Sequence, residues 1–354
     1  MGALIPVRDD LGLFEGYHSP QVAVDVRLNT NESPLPPPPG WLDALHEAVD
    51  AIPFHRYPDR SFAALRTGLA ELHGVRPDQV FAANGSNEVL QTLLLTYGGA
   101  GRSAAVFEPT YALHSHIAQV TGTTVATGER NPDFTLDLDV VERVLTDAQP
   151  SLTFLCSPNN PTGRVEPREV VETVLDLAPG LLVVDEAYGQ FSRWSALEVI
   201  TDDTPLVVVR TFSKTWSMAA TRLGYCIAPA PVVRALEQVV LPYHLDAMKQ
   251  AAGALALRFK PEMEARVALL NEERGKIAAA LGDLPVDTWP SDANFILFRP
   301  QAKDGDEVWQ ALVDRSVLVR NCTSWPRLTG CLRVTVGTPE ENERFLAALT
   351  EVLA

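Results

Sequence analysis

Several short segments of the chain carry residue types that could do chemistry together. Lys214 follows Thr211, Phe212 and Ser213, with Arg222 eight positions further on. Asp185 closes the apolar run LLVVD and is followed by Glu186, Ala187 and Tyr188. SPNNPTG (157–163) follows LTFLC, and Asn84, Gly85, Ser86, Asn87 and Glu88 follow VFAA. A carboxylate at the end of an apolar strand is costly unless a cation meets it. Glycine and small hydroxyl residues opening a helix offer backbone N–H groups to an anion. Thr211, Ser213 and Arg222 add hydroxyl and guanidinium donors for the same phosphate. A lysine among them can form a Schiff base, and a buried aspartate can pair with a pyridinium nitrogen. Together they make the inventory of a pyridoxal phosphate site.

Competing chemistries lack their motifs. There is no GxxxxGK[ST] stretch for a nucleoside triphosphate, and no GxGxxG after the first strand for a dinucleotide. Neither HExxH nor GxSxG occurs, against a zinc hydrolase or a serine esterase. Cys156, Cys226, Cys322 and Cys331 are scattered without a CxxC pair. They read as buried free thiols rather than a zinc site or a disulfide scaffold, and no metal is expected.

These residues need a scaffold that brings distant segments together. Short β-rich runs are expected at 80–83, 104–107, 123–127, 152–156, 181–185, 206–210 and 225–228. Helical patterns lie between them at 61–73 (after a Ser61 cap), 86–97, 110–120, 137–148, 167–178 and 231–240. Continuous Val/Leu runs point to strands buried on both faces, in an α/β fold with a mostly parallel sheet flanked by helices. Ligands in such sheets bind where the carboxyl ends of strands open into loops, and the segments above stand there. After 245 a long helix over 246–280, broken or bent near Pro261, leads into strands at 294–298, 317–320 and 331–336. Helices are expected near 305–315 and after a cap at Thr338, completing a smaller α+β domain. The expected division is an N-terminal arm and part of the small domain (1–45), a large cofactor-binding domain (46–245), and a linking helix with the small domain (246–354). The first 45 residues show no helical period, and LPPPPG (35–40) reads as a stiff polyproline connection.

Composition narrows the function classes. The chain has 354 residues, 46% of them hydrophobic, enough for a sizeable core. With 29 Lys and Arg against 45 Asp and Glu, the formal net charge is −16, a poor surface for a nucleic-acid backbone. Only 21% of residues are charged, so this is not a disordered acidic chain. No signal peptide or bilayer-spanning run is seen, and a cytoplasmic protein without membrane or nucleic-acid partners is expected.

SPNNPTG, VVDEAY, TFSK with its downstream Arg, and GCLRVTVG together resemble the fold-type I pyridoxal-phosphate aminotransferases. RLNTNES (27–33), RYPD (56–59), ANGSNEVL (83–90) and LPYHL (241–245) look like the histidinol-phosphate aminotransferase branch. The resemblance runs colinearly over nearly the whole chain. It implies that Lys214 holds pyridoxal 5'-phosphate as a Schiff base and serves as general base and acid. Asp185 would pair with the pyridine nitrogen, Asn160 and Tyr188 would hydrogen-bond the phenolic oxygen, and Tyr111 would stack on the ring. Ser86, Asn87, Thr211, Ser213 and Arg222 would bind the phosphate. Tyr57 would reach it from a neighbouring subunit, which implies a homodimer with shared sites. Arg333, helped by Arg320, would hold the substrate's anion, with Tyr17 and Asn31 lining the entrance. The implied reaction transfers an amino group between a small-molecule donor and a keto acid.

The substrate is less sharply marked. Arg320 and Arg333 suit either a phosphate monoester or an amino-acid carboxylate. Ser33 stands where the branch commonly has Asn. Trp216 and Trp325 are read as packing, since Trp is highly buried on average; lining the pocket, they would favour an aromatic amino acid. An aromatic or pathway-specific aminotransferase and a decarboxylase of a phosphorylated amino acid are the alternatives.

Overall fold

The computed structural model describes Arg8, Leu11 and residues 22–354. β1 (Val26–Leu28) precedes β2 (Val80–Ala83), β3 (Ser103–Glu108), β4 (Thr124–Glu129), β5 (Leu152–Cys156), β6 (Leu181–Asp185), β7 (Leu206–Thr211) and β8 (Gly224–Ile227). The last seven form one sheet in the order β2-β8-β7-β6-β5-β3-β4. From β7 across to β4 every pairing is parallel, whereas β8 is antiparallel to both β7 and β2. Side chains of successive residues point to opposite faces of a strand, and here both faces are apolar. Val183, Val207 and Val209 enter one core with Val89, Leu90, Leu93 and Leu94 of helix Ser86–Tyr97. Leu182, Val184, Leu206 and Val208 enter the other, with Val141 and Leu145 of helix Leu138–Ala148 and Val171 and Val174 of helix Arg168–Leu177. The continuous Val/Leu runs follow from this double coverage.

A second sheet, ordered β1-β11-β12-β10-β9, is built by β9 (Val286–Thr288), β10 (Phe295–Pro300), β11 (Val317–Asn321) and β12 (Leu332–Thr335). β1 joins it by parallel pairing with β11, so the N-terminal segment is tied to the end of the chain. Its core holds Leu270, Ile277 and Leu281 of helix Lys260–Gly282 and Phe345 and Leu349 of helix Pro339–Leu353. The last helix opens with the expected capping box of Thr338 and Glu341.

Two local expectations change. Ser61 is not the cap of helix Ala63–His73; the Asp59 carboxylate accepts from the Ser61 and Ala63 N–H groups instead. Residues Pro39–Asp50 form a helix that begins inside the first 45 residues, the stretch expected to lack one. Pro39 sits at the first helical position, where a missing N–H is harmless, so the proline run opens a helix. Trp41 in it is buried and donates Nε1–H to Ala252 O at 3.1 Å. The long C-terminal helix breaks as expected: Ala247–Ala256 and Lys260–Gly282 are separated by the 3₁₀ turn Leu257–Phe259, with Pro261 in the first turn of the second. No helix among the described residues is long and apolar enough to cross a membrane.

Candidate active site

Parallel pairing puts the carboxyl ends of β3, β5, β6 and β7 on one edge of the large sheet. Ala83 at the end of β2 and Thr211 at the end of β7 both pair with Gly224, so the loops after β2 and β7 lie side by side. A cavity of about 250 Å³ opens there, between this edge and the small sheet.

One end of the cavity is built to receive an anion. Helix Ser86–Tyr97 begins after Gly85, which has φ of 85° and offers no capping side chain. Its first-turn N–H groups therefore look into the pocket, which Ser86 and Asn87 line. A Cβ on Gly224 would stand 2.1 Å from Ser86 N, so only glycine lets β8 come this close. Opposite, Thr211 Oγ1 donates to Ser213 Oγ at 3.0 Å and accepts from Ser213 N at 3.1 Å. Arg222 Nη1 donates to the same Ser213 hydroxyl at 3.4 Å. Two hydroxyls, a guanidinium and a helix start thus converge on one small volume.

Lys214 and Asp185 share the middle of the cavity. Lys214 Nζ donates to Thr30 O at 3.0 Å. Burial, and then the nearby Arg333 cation, push its amine down from 10.5 to about 7, with Glu32 acting in the opposite sense. Such an amine is available as a base near neutrality. Asp185 is buried; its Oδ1 accepts from Ala187 N at 3.0 Å and its Oδ2 from His114 Nε2 at 3.1 Å. Next in sequence, Glu186 holds Arg210 in a buried ion pair at 2.6 Å, fixing the end of β6 to β7. Tyr188 is buried, its hydroxyl accepts from Asn31 Nδ2 at 2.9 Å, and desolvation pushes that hydroxyl up. Tyr111 stands on the wall with its hydroxyl donating to Asn87 Oδ1 at 3.2 Å.

The far end is cationic. Arg333 on β12 donates Nη1 to Asn160 Oδ1 and Nη2 to Asn29 O at 3.0 Å. Its buried Nε has no hydrogen-bond partner among the described residues. Arg320 pairs with it in register across β11 and β12 and is buried, but does not line the cavity.

Of the residues singled out in the sequence, Lys214, Asp185, Tyr188, Ser86, Asn87, Tyr111, Asn160, Thr211, Ser213, Arg222, Asn31 and Arg333 all line this one cavity. Tyr57 does not: it is 80% exposed and stacks on Tyr243 at 4.5 Å, beside a separate groove. Tyr17 lies outside the described residues. Trp216 is packed in a core against Phe212, as expected. Trp325, expected to be packing alone, lines the cavity; the turn in which Trp325 N donates to Cys322 O carries it there, a geometry that burial preference does not foretell.

Sequence reasoning passed over His114, Thr30, Glu32 and Asn29. His114 sits three residues after Tyr111, on the face of helix Leu113–Val120 that is buried against the sheet. A histidine among apolar helix positions opposite a strand-end carboxylate is the signal that marks it. Among the described residues, no group of His, Cys, Asp and Glu could hold a metal ion.

A parallel-centred sheet whose strand ends present a lysine amine, an aspartate and an anion cradle is the arrangement of a fold-type I aminotransferase. Residues 23–349 match the family described as aminotransferase class I and II, and the chain belongs to that family. It is 45% identical to a histidinol-phosphate aminotransferase of Frankia casuarinae over 364 residues, spanning 99% of this chain and 90% of the relative. It is 42% identical to one of Corynebacterium diphtheriae over 358 residues, spanning 98% and 96% of the two. Among solved structures it resembles the histidinol-phosphate aminotransferase of Sinorhizobium meliloti in complex with pyridoxal-5'-phosphate, with a TM-score of 0.84 at 24% identity. That match covers 93% of this chain and 91% of the other.

Proposed function

We propose that the chain is a pyridoxal-phosphate-dependent histidinol-phosphate aminotransferase of histidine biosynthesis. The reversible reaction converts imidazole acetol phosphate and L-glutamate to L-histidinol phosphate and 2-oxoglutarate. The full-length relatives above support the substrate. The observation that carries the reading is the placement of Lys214 and Asp185 between two anion-binding ends, the Ser86–Arg222 cradle and Arg333.

The residues fit the cofactor. The cradle has the donors a phosphate needs and, at Gly224, no room for a side chain. Asp185 would hold the ring nitrogen protonated, Asn160 and Tyr188 would hold the ring oxygen, and Tyr111 would cover a ring face. When bound, the cofactor supplies an aldehyde for the substrate amine and a ring that withdraws electrons from the reacting carbon. The chain's own groups do the rest. Lys214, its amine pushed down to about 7 and so partly neutral there, would take the proton from the substrate's α-carbon and return it to the cofactor's aldehyde carbon. Arg333, with Arg320 behind it, orients the substrate by its anion. Glutamate and the phosphate monoester take turns in one pocket, so ping-pong kinetics are expected.

Residues 1–45 and 246–354 are read as arm, linking helix and small domain, and 46–245 as the cofactor-binding domain; the β1–β11 pairing supports this. A homodimer with shared sites is supported by the exposed apolar side chains of Phe54, Tyr57, Leu241 and Tyr243. Four unpaired, buried cysteines suit a reducing, cytoplasmic setting. Mixing Tyr57→Phe with Lys214→Ala subunits should restore activity above either parent, because one hybrid site regains both residues; no gain counts against the shared site.

Half-reactions test the substrate. Histidinol phosphate and glutamate should each bleach the visible band of the loaded enzyme, with phenylalanine and tyrosine far slower. A faster response to the aromatic amino acids would favour the aromatic alternative, and release of carbon dioxide a decarboxylase.

A further inference from the structure

We infer that Trp325 is a specificity-determining residue for the anionic group of the substrate, and that Arg327 is the positioning residue that holds it in place. This rests on the reading that Arg333, with Arg320 behind it, receives that anion. Residues 322–331 connect β11 to β12, the strands that carry the two arginines. Within this loop Trp325 lines the cavity, its ring centre 5.2 Å from the Arg320 guanidinium carbon and 6.0 Å from that of Arg333. An indole against guanidinium groups excludes water from their faces and leaves the N–H edges to bind. Those edges make the fork bonds to a phosphate or carboxylate. Arg333 has an edge atom to give: Nε is buried and unpartnered among the described residues. Removing the indole would wet the site and let the guanidinium planes swing.

The loop is held by the end of β4 and the stretch after it as well as by its own strands. Cys322 N donates to Cys331 O at 3.0 Å, closing its base, and Trp325 N donates to Cys322 O at 2.9 Å. Leu328 is fully buried in an apolar cluster that includes Phe134, from the stretch following β4 in the large sheet. Arg327 reaches the same stretch: its Nη1 donates to Arg130 O and stands 3.6 Å from the Glu129 carboxylate at the end of β4. The Glu129 carboxylate is exposed and that ion pair adds little. The carbonyl bond and the Leu328 contact therefore carry the latch. Arg327 takes a φ of 63°, a left-handed conformation that a non-glycine residue keeps only where its surroundings impose it. A small-sheet loop is thus fastened to the large sheet, with Trp325 standing between the fastening and the arginines.

The test is calorimetric titration of the pyridoxal-phosphate-loaded enzyme with inorganic phosphate, which needs no turnover. Wild type should bind it and Arg333→Ala should not. Trp325→Ala should raise the Kd about tenfold and Arg327→Ala about threefold, with Trp325→Phe recovering most of the loss. With histidinol phosphate, the Trp325→Ala loss should fall mainly on KM rather than kcat, as expected for a group that acts on binding. If Arg333→Ala abolishes phosphate binding while Trp325→Ala binds like wild type, the inference is overturned and the anion site stands. Phosphate binding that survives Arg333→Ala overturns the anion site itself.

Discussion

His114 Nε2 lies 3.1 Å from Asp185 Oδ2, and both side chains are sealed from solvent. A carboxylate only accepts, so the imidazole donates its Nε2 proton. The ring stacks on Phe154 at 4.9 Å and meets Tyr111 edge-on at 5.4 Å. One packed column therefore ties the residue proposed to cover the cofactor ring to the carboxylate proposed to hold its nitrogen.

His114→Phe keeps the stack and removes the donor. We expect it to fold, to bind pyridoxal phosphate about tenfold or more weakly, and to lose kcat by a similar factor. Equilibrium cofactor binding by absorbance checks this; an unchanged Kd would mean that the Asp185 position does not depend on His114.

The Lys214 amine sets a pH dependence whose sign can be worked out. Unfolded, it titrates near 10.5; folded, near 7, chiefly because it is desolvated. Between these values the unfolded chain holds a proton that the folded chain lacks. Its contribution to the stability of cofactor-free protein therefore rises with pH across that window and is lost as pH falls from 10.5 towards 7. Denaturation curves of wild type minus Lys214→Met should show this rise, and parallel curves would contradict it. Arg333→Gln, which removes the next largest cause, should shift the onset upward.

Gly224→Ala tests the cradle. The new Cβ would meet Ser86 N at 2.1 Å and Gly85 C at 2.4 Å, both backbone atoms that cannot rotate away. We expect a loss of about 1–3 kcal/mol in stability, together with weakened cofactor binding. A variant with wild-type melting and cofactor affinity would show that β8 and the helix start are not in close contact.

Much of this was legible before the structure because strand-end chemistry is local in sequence. LLVVD, LVVVR and VFAA announce doubly covered strands; the residues after the first two fall on one sheet edge by parallel pairing, and those after VFAA join them through β8, antiparallel to both β7 and β2. What escaped depends on tertiary context. Helix Pro39–Asp50 hides behind a proline run whose last member happens to sit where proline is tolerated. β1 and β9 are three residues each, too short to carry a period, and exist because β11 and β10 offer them edges. His114 and Trp325 become site residues only when a helix face and a loop turn towards strands far away in sequence.

The central claim is that Lys214 is the amine that binds the cofactor covalently and then moves the proton. Reduction of the loaded enzyme with borohydride, followed by peptide mapping, tests it directly. The pyridoxyl group should be found on Lys214, and Lys214→Ala should lack both the label and the visible band. A label on another lysine, or a Lys214→Ala variant that keeps the band, would contradict the account.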